Sequence, residues 1–133
     1  MLKKSLASKL IFLGECTTTS FDVVGDTPKD LFVINIYRGT IQSKKVNIGA
    51  RIKKNNIMLL ELHLSPTNVH RNPDGEKIKG SHWHIYTEEY GGLKAYPASD
   101  ITSDDFVDNT IAFLNRFNVI EKPTIQDQLK MLE

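Results

Sequence analysis

Apolar and polar residues alternate in five segments between Leu31 and Pro97, and this pattern predicts β-strands. The links between the first three segments are short, which favours an antiparallel meander. Each of these three segments presents one apolar face, as Leu60, Leu62 and Leu64 do in the third. The predicted strands cover residues 31–38, 44–54, 57–65, 81–87 and 93–97. Such strands predict a bent antiparallel sheet or a small open barrel of about five strands.

Turn-forming residues separate the predicted strands. Asn55-Asn56 links the second strand to the third, because asparagine tolerates the left-handed backbone of tight turns. A longer connection over residues 65–81 contains Asn72-Pro73-Asp74-Gly75, with proline second and glycine fourth, as in a type I turn. Residues 17–30 are polar and rich in turn formers, and we expect a loop there.

After the last predicted strand, the apolar period changes to that of an α-helix. Apolar residues recur at helical spacing over residues 104–117, with Ser103 as candidate N-cap and Asn118 as the end. A second, short helix is predicted to begin at Thr124. The fold class is therefore α+β, with a C-terminal helix packed on the sheet.

The length of 133 residues is enough for one hydrophobic core, and we predict a single domain. It comprises a variable N-terminal segment (1–30), the sheet (31–97) and the C-terminal helices (103–133). A net charge of +1 does not demand nucleic acid or a membrane surface as partner. One cysteine excludes an internal disulfide, and no apolar segment approaches the ~20 residues that span a bilayer. We expect a cytoplasmic protein without membrane contact.

Ionisable residues concentrate in the fourth predicted strand and in the connection before it. His82 and His84 lie two residues apart, so a strand projects both rings from one face, about 7 Å apart. Trp83 then points into the core, and His70 precedes the predicted turn. An ionisable stripe on a well-patterned strand predicts a functional site, with ordinary structural hydrogen bonds as the alternative.

Two histidines can act as base and acid near neutral pH and cleave RNA through its 2′-hydroxyl without a metal. Cationic side chains must then stabilise the negative charge of the transition state. The leading interpretation is a metal-independent ribonuclease or related phosphodiesterase, with RNA as partner and no cofactor. The residues assigned to it are His70, His82, His84 and Tyr86 for catalysis, and Arg38, Arg51 and Lys94 for phosphate binding.

Two other interpretations stay open. In the first, the same surface binds a protein partner without catalysis, as in an antitoxin, an inhibitor or a phage-encoded anti-defence factor. In the second, His82 and His84 bind a transition metal such as zinc, joined by His63 or His70 from a neighbouring strand. A carboxylate can complete that set, and the candidates are Glu61, Asp74 and Glu89.

Several short motifs recur in a known group of proteins. They are His70-x-Asn72-Pro73-Asp74-Gly75, His82-x-His84-Ile85-Tyr86, Glu88-x-Tyr90-Gly91 and Ala95-x-Pro97. Through them the chain from about Leu31 onward resembles a family of small bacterial and mobile-element proteins of unknown function. Where such sequences carry a lysine–tryptophan pair before Ala-x-Pro, this chain has Leu93-Lys94. The resemblance implies a toxin or phage-defence setting and no particular activity.

Overall fold

The computed structural model describes residues 1–12, 14–40, 42 and 44–127. In chain order the elements are β1 (Lys3–Ser5), β2 (Lys9–Phe12), β3 (Thr17–Val24), β4 (Leu31–Arg38), β5 (Val46–Ile52), β6 (Met58–Leu64), β7 (Val69–Arg71), β8 (Lys77–Lys79), β9 (His82–Ile85), β10 (Ala95–Pro97), α1 (Phe106–Arg116), β11 (Val119–Glu121) and β12 (Thr124–Asp127). Eight strands form one open sheet in the order β10-β9-β6-β5-β4-β3-β1-β11. Its pairs are antiparallel except β1–β11, and α1 packs on one face.

All five predicted strands are present, as β4, β5, β6, β9 and β10. The first three form the predicted antiparallel meander, β9 pairs with β6, and β10 pairs with β9. Ile34, Ile48 and Leu62 lie on the predicted apolar faces and are at most 1% exposed. At the turn between β5 and β6, Asn56 has a φ of 60°, which asparagine tolerates better than most residues.

The sheet has eight strands rather than about five, because segments outside residues 31–97 also pair with it. Residues 17–24, predicted as part of a loop, form β3 and pair along their whole length with β4. Phe21 and Val23 face the core from this strand. The strand was not predicted because the threonines before these residues are polar, although threonine favours strands through its β-branched side chain.

The helix α1 has a shifted start relative to the prediction. Asp105, not Ser103, is the N-cap, and its carboxylate accepts a 3.0 Å hydrogen bond from the backbone N–H of Asp108. The acidic side chain also complements the positive end of the helix dipole. Asn118 follows the helix with a φ of 60°, which confirms the predicted end.

The prediction of a second helix is wrong for residues 124–127. Thr124–Asp127 forms β12, which pairs in parallel with β2 from the N-terminal segment. The apolar positions Leu129 and Leu132 of that predicted helix lie outside the described residues. A pairing between chain ends more than a hundred residues apart leaves no local pattern, so sequence periodicity could not show it.

One face of the sheet carries the core and the other is polar. On the core face Trp83 stacks on Phe113 of α1 with ring centroids 6.0 Å apart, and Phe32 meets Phe117 edge-on at 5.5 Å. On the opposite face the register places Tyr37, Asn47, His63 and His82 side by side across β4, β5, β6 and β9. This second face carries the candidate site.

The long connection between β6 and β9 folds into a hairpin of β7 and β8. The backbone N–H of Gly75 donates to the carbonyl of Asn72 at 2.9 Å, which confirms the predicted turn. Gly75 has a φ of 91°, a conformation that a side chain would strain. Among the described residues, no helix is long and apolar enough to cross a membrane.

Candidate metal centre

The pairing of β6 with β9 brings four ionisable side chains to one place on the polar face. His63 lies opposite His82, and Glu61 lies opposite His84. Directly paired residues of antiparallel strands have Cβ atoms about 4.5–5.5 Å apart on the same face. Strand alternation, which buries Leu62 and Trp83 in the core, therefore also assembles this group.

All four histidines of the chain meet here, and we call them the histidine cluster: His63, His70, His82 and His84. The ring centroids of His63, His82 and His84 lie 4.8–5.1 Å apart. His70 comes from β7, outside the eight-stranded sheet, and its ring lies 5.4 Å from that of His82 and 4.8 Å from that of His84. His82 and His84 are buried, whereas His63 and His70 are partly exposed.

Hydrogen bonds fix the tautomers of the two buried rings. Carbonyl oxygens only accept, so Nδ1 of His82 donates to the carbonyl of Gly80 at 2.9 Å. Likewise Nδ1 of His84 donates to the carbonyl of Gly92 at 2.8 Å. In the neutral rings Nε2 then carries the lone pair, which is the atom a metal would bind.

In His63 and His70 the hydrogen-bonded ring nitrogen is Nε2 instead of Nδ1. Nε2 of His63 lies 2.7 Å from a carboxylate oxygen of Glu61, and Nε2 of His70 lies 3.1 Å from the carbonyl of Leu93. Both acceptors require the N–H on Nε2, which leaves Nδ1 with the lone pair. Each of the four rings thus donates one N–H to a fixed acceptor and keeps one nitrogen for a ligand.

The local electrostatics favour the neutral forms of His82 and His84 beside an ionised Glu61. Burial lowers the pKa of His82 and of His84, and the neighbouring histidines add to this shift, although the hydrogen bonds to the carbonyls of Gly80 and Gly92 oppose it. The hydrogen bond from His63 lowers the pKa of Glu61, although partial burial of the carboxyl opposes this shift. Neutral imidazole and ionised carboxylate are the forms that coordinate metals or support coordinating rings.

The geometry of three rings is close to that of a metal site. One ligand atom from each of His63, His82 and His84 lies within 4.8 Å of the others. Around a tetrahedral zinc ion with bonds of about 2.0–2.1 Å, the ligand nitrogens are about 3.3 Å apart. The widest pair must therefore close by about 1.5 Å, the difference between 4.8 Å and that spacing. Binding an ion therefore requires the rings to approach one another, and His63 is the one of the three that is partly exposed.

The structure places the remaining predicted site residues in different surroundings. Arg38 shares the core face with Leu64, contacts Phe106 of α1, and pairs with Asp127 at 2.7 Å. It therefore lies on the face opposite the histidine cluster. Tyr86 follows β9 with its side chain 44% exposed.

Arg51 and Lys94 are both engaged with neighbours outside the cluster. The guanidinium of Arg51 donates to the side-chain oxygens of Asn35 and Asn56. The ammonium of Lys94 lies 3.8 Å from the carboxylate of Asp74 in the β7–β8 turn. The structure thus brings together the predicted histidines and does not bring Arg38 to them.

Two residues of the centre were not among those assigned to catalysis. His63 and Glu61 appeared in the sequence only as candidates for a metal set, on the polar side of the third predicted strand. Alternation gave their face correctly, but the β6–β9 pairing decides that they meet His82 and His84. The signal available in the sequence was that the third predicted strand also carries a histidine on its polar face.

An open sheet covered by one helix, with a histidine cluster on its other face, defines an α+β protein with a candidate imidazole metal centre. The sequence model of a family of unknown function (DUF6978) matches residues 1–119, and the chain belongs to that family. The match includes the first thirty residues, which contribute β1 and β3 to the sheet. No curated protein and no solved structure matches the chain.

Proposed function

We propose that this protein binds one first-row transition-metal ion in the histidine cluster, with zinc as the best fit. The observation that carries the proposal is the convergence of His63, His82 and His84, whose ligand atoms lie within 4.8 Å of one another. Each of these rings also donates one N–H to a fixed acceptor. Metal-binding histidines almost always show this second hydrogen bond, because it sets the tautomer and the ring orientation.

The donor set selects the class of metal. Imidazole nitrogens suit zinc, copper, nickel and iron, whereas calcium and magnesium require oxygen ligands. Zinc accepts tetrahedral geometry with three or four histidines. Burial lowers the pKa of His82 and His84, so protons compete less strongly for their lone pairs.

The residues around the ligands have separate roles in this proposal. The Glu61 carboxylate accepts the Nε2–H of His63, which orients that ring and leaves its Nδ1 for the ion. The carbonyls of Gly80 and Gly92 accept hydrogen bonds from Nδ1 of the two buried rings and so orient them. An ion enters from the polar face, where His63 and Glu61 are each 27% exposed.

The test is a metal titration of protein purified without a histidine tag and stripped with a chelator. We expect one zinc ion per chain, measured by competition with a chromogenic chelator and by elemental analysis. His63→Gln and His84→Gln should each weaken binding by at least tenfold, because each removes one of few ligands. Asn47→Ala, an exposed residue that lies opposite His63 on β5, is the matched control and should bind normally.

Two outcomes contradict the proposal. One is the absence of stoichiometric binding by the folded wild-type protein. The other is equal affinity in wild type and in both histidine variants, with circular dichroism showing that the variants fold. Absence of metal binding would direct the search to a protein partner.

A second candidate function is metal-independent cleavage of RNA by the same histidines. It is favoured by the lowered pKa of His82 and His84, which suits a base, and by the Glu61 carboxylate 2.7 Å from Nε2 of His63. It is weakened by Arg38, which lies on the opposite face, and by Arg51, whose guanidinium is bound to two asparagines. Cleavage that survives EDTA and is lost in the His82 and His84 variants supports this candidate; cleavage abolished by EDTA supports metal chemistry.

A further inference from the structure

The β7–β8 hairpin lies against the edge of the sheet next to the histidine cluster. Its turn is closed by two backbone hydrogen bonds, from Gly75 to Asn72 at 2.9 Å and from Asn72 to Glu76 at 2.7 Å. The hairpin is a separate two-stranded unit and is not hydrogen-bonded into the eight-stranded ladder. Its position must therefore be set by side-chain contacts.

Asn72 joins the hairpin to edge strand β10 through two hydrogen bonds. Its side-chain Nδ2 donates to the carbonyl of Ala95 at 2.9 Å, and its Oδ1 accepts the backbone N–H of Ala95 at 2.6 Å. The amide thus pairs with β10 as a neighbouring strand would, and it is only 3% exposed. Asp74, two residues later, adds the 3.8 Å ion pair with Lys94.

This docking determines where His70 lies. His70 stands two residues before Asn72, and its Nε2 donates to the carbonyl of Leu93, two residues before Ala95. Its ring stacks on His82 at 5.4 Å and meets His84 edge-on at 4.8 Å. Nδ1 carries the lone pair, so the hairpin places a fourth imidazole nitrogen donor near the three rings from the sheet, although His70 is outside the group whose ligand atoms lie within 4.8 Å of one another.

We infer that His70 is the fourth ligand of the metal site and that Asn72 is its positioning residue. This inference rests on the proposed metal-binding function. With His70 bound, four nitrogens saturate a tetrahedral ion and leave no position for water. Because His70 belongs to the hairpin and not to the sheet, it can close on the ion without disturbing the β6–β9 pairing. The hairpin therefore decides whether the site is closed or has an open position.

The test compares His70→Ala, Asn72→Ala and Asn72→Asp with wild type in zinc affinity and in the visible spectrum of the cobalt-substituted protein. Loss of His70 should lower affinity by about 10–100-fold and weaken the intense absorption typical of tetrahedral cobalt. Added imidazole should restore that absorption in His70→Ala. Asn72→Ala should shift the spectrum in the same direction although it removes no ligand. Asn72→Asp keeps the acceptor for the Ala95 N–H but sets a buried carboxylate oxygen against the Ala95 carbonyl, and it should shift the spectrum at least as far. Lys77→Ala, an exposed residue of the same hairpin, is the control.

The outcomes separate this inference from the proposed function. If wild type binds no metal, the proposed function fails and the inference fails with it. If wild type binds one ion and His70→Ala has the same affinity and spectrum, a three-histidine site stands and the inference is refuted. If His70→Ala changes the zinc affinity and the cobalt spectrum but Asn72→Ala changes neither, His70 is a ligand and the positioning role of Asn72 is refuted. His70 is partly exposed, so its variant tests the inference even if Asn72→Ala unfolds.

Discussion

Glu61 offers the sharpest test of how the centre works, because it supports a ligand without being needed as one. Its carboxylate oxygen lies 2.7 Å from Nε2 of His63, and both side chains are 27% exposed. Removing a carboxylate that orients a ligating histidine typically weakens metal binding by about 10–100-fold. This range corresponds to about 1.4–2.7 kcal/mol of binding free energy. Partial solvent exposure screens the charge, so we expect Glu61→Gln near the lower end of that range.

Two substitutions at this position separate orientation from charge. In Glu61→Gln the amide oxygen can still accept the N–H of His63, so only the charge is lost. In Glu61→Ala the acceptor is lost as well, His63 can adopt either tautomer, and the loss of affinity should be larger. The expected order of zinc affinity is wild type, then Glu61→Gln, then Glu61→Ala.

The assay is zinc competition with a chelator at neutral pH, on tag-free protein whose fold is checked by circular dichroism. Glu121→Gln is the matched control, because Glu121 lies on β11 at the opposite edge of the sheet and forms an exposed ion pair with Lys4. Its affinity should equal that of wild type. Equal affinity in wild type and Glu61→Ala would refute the assignment of His63 as an oriented ligand.

Three further predictions concern stability. In metal-free protein, burial lowers the pKa of His82 and His84 below the usual 6.5, so the unfolded chain takes up protons first as the pH falls. The free energy of unfolding should therefore decrease as the pH falls below about 6.5. Urea titrations between about pH 8 and pH 5 measure this, and an unchanged free energy of unfolding would contradict the prediction. Asp105→Ala removes the N-cap of α1 and should cost about 1 kcal/mol, seen as a lower melting temperature; an unchanged value argues against the cap. Leu62→Ala, at a position with 0% exposure, should cost about 2–5 kcal/mol in urea unfolding, and a loss below about 1 kcal/mol would mean that the core is not packed as described.

Local patterns predicted the elements that depend on near neighbours. The alternation of Leu60, Leu62 and Leu64 gave the third predicted strand and its buried face correctly. The Asn72–Gly75 turn was predicted from residue types that favour its backbone, and its hydrogen bond is present. These features follow from steric preferences and side-chain period, which act within a few residues.

Elements that depend on distant partners were predicted less well. β3 was also missed, because its polar threonines resemble a loop, although it pairs with the next strand, β4, and buries Phe21 and Val23. Residues 124–127 were predicted as the start of a helix, because the sequence near them gives no sign of their strand partner in residues 9–12. Such pairings are selected by the whole fold and leave no periodic signal at either end.

The candidate site shows the same division. The sequence by itself determined that His82 and His84 share a polar face, because successive strand residues point to opposite sides of a sheet. Only the tertiary structure decided which residues join them: the β6–β9 pairing adds Glu61 and His63, and the docked hairpin adds His70. It also decided that Arg38 lies on the other face, since register and strand order fix the neighbours of each side chain across the sheet. Strand pairing joins residues far apart in the chain, and no local spacing encodes those distances.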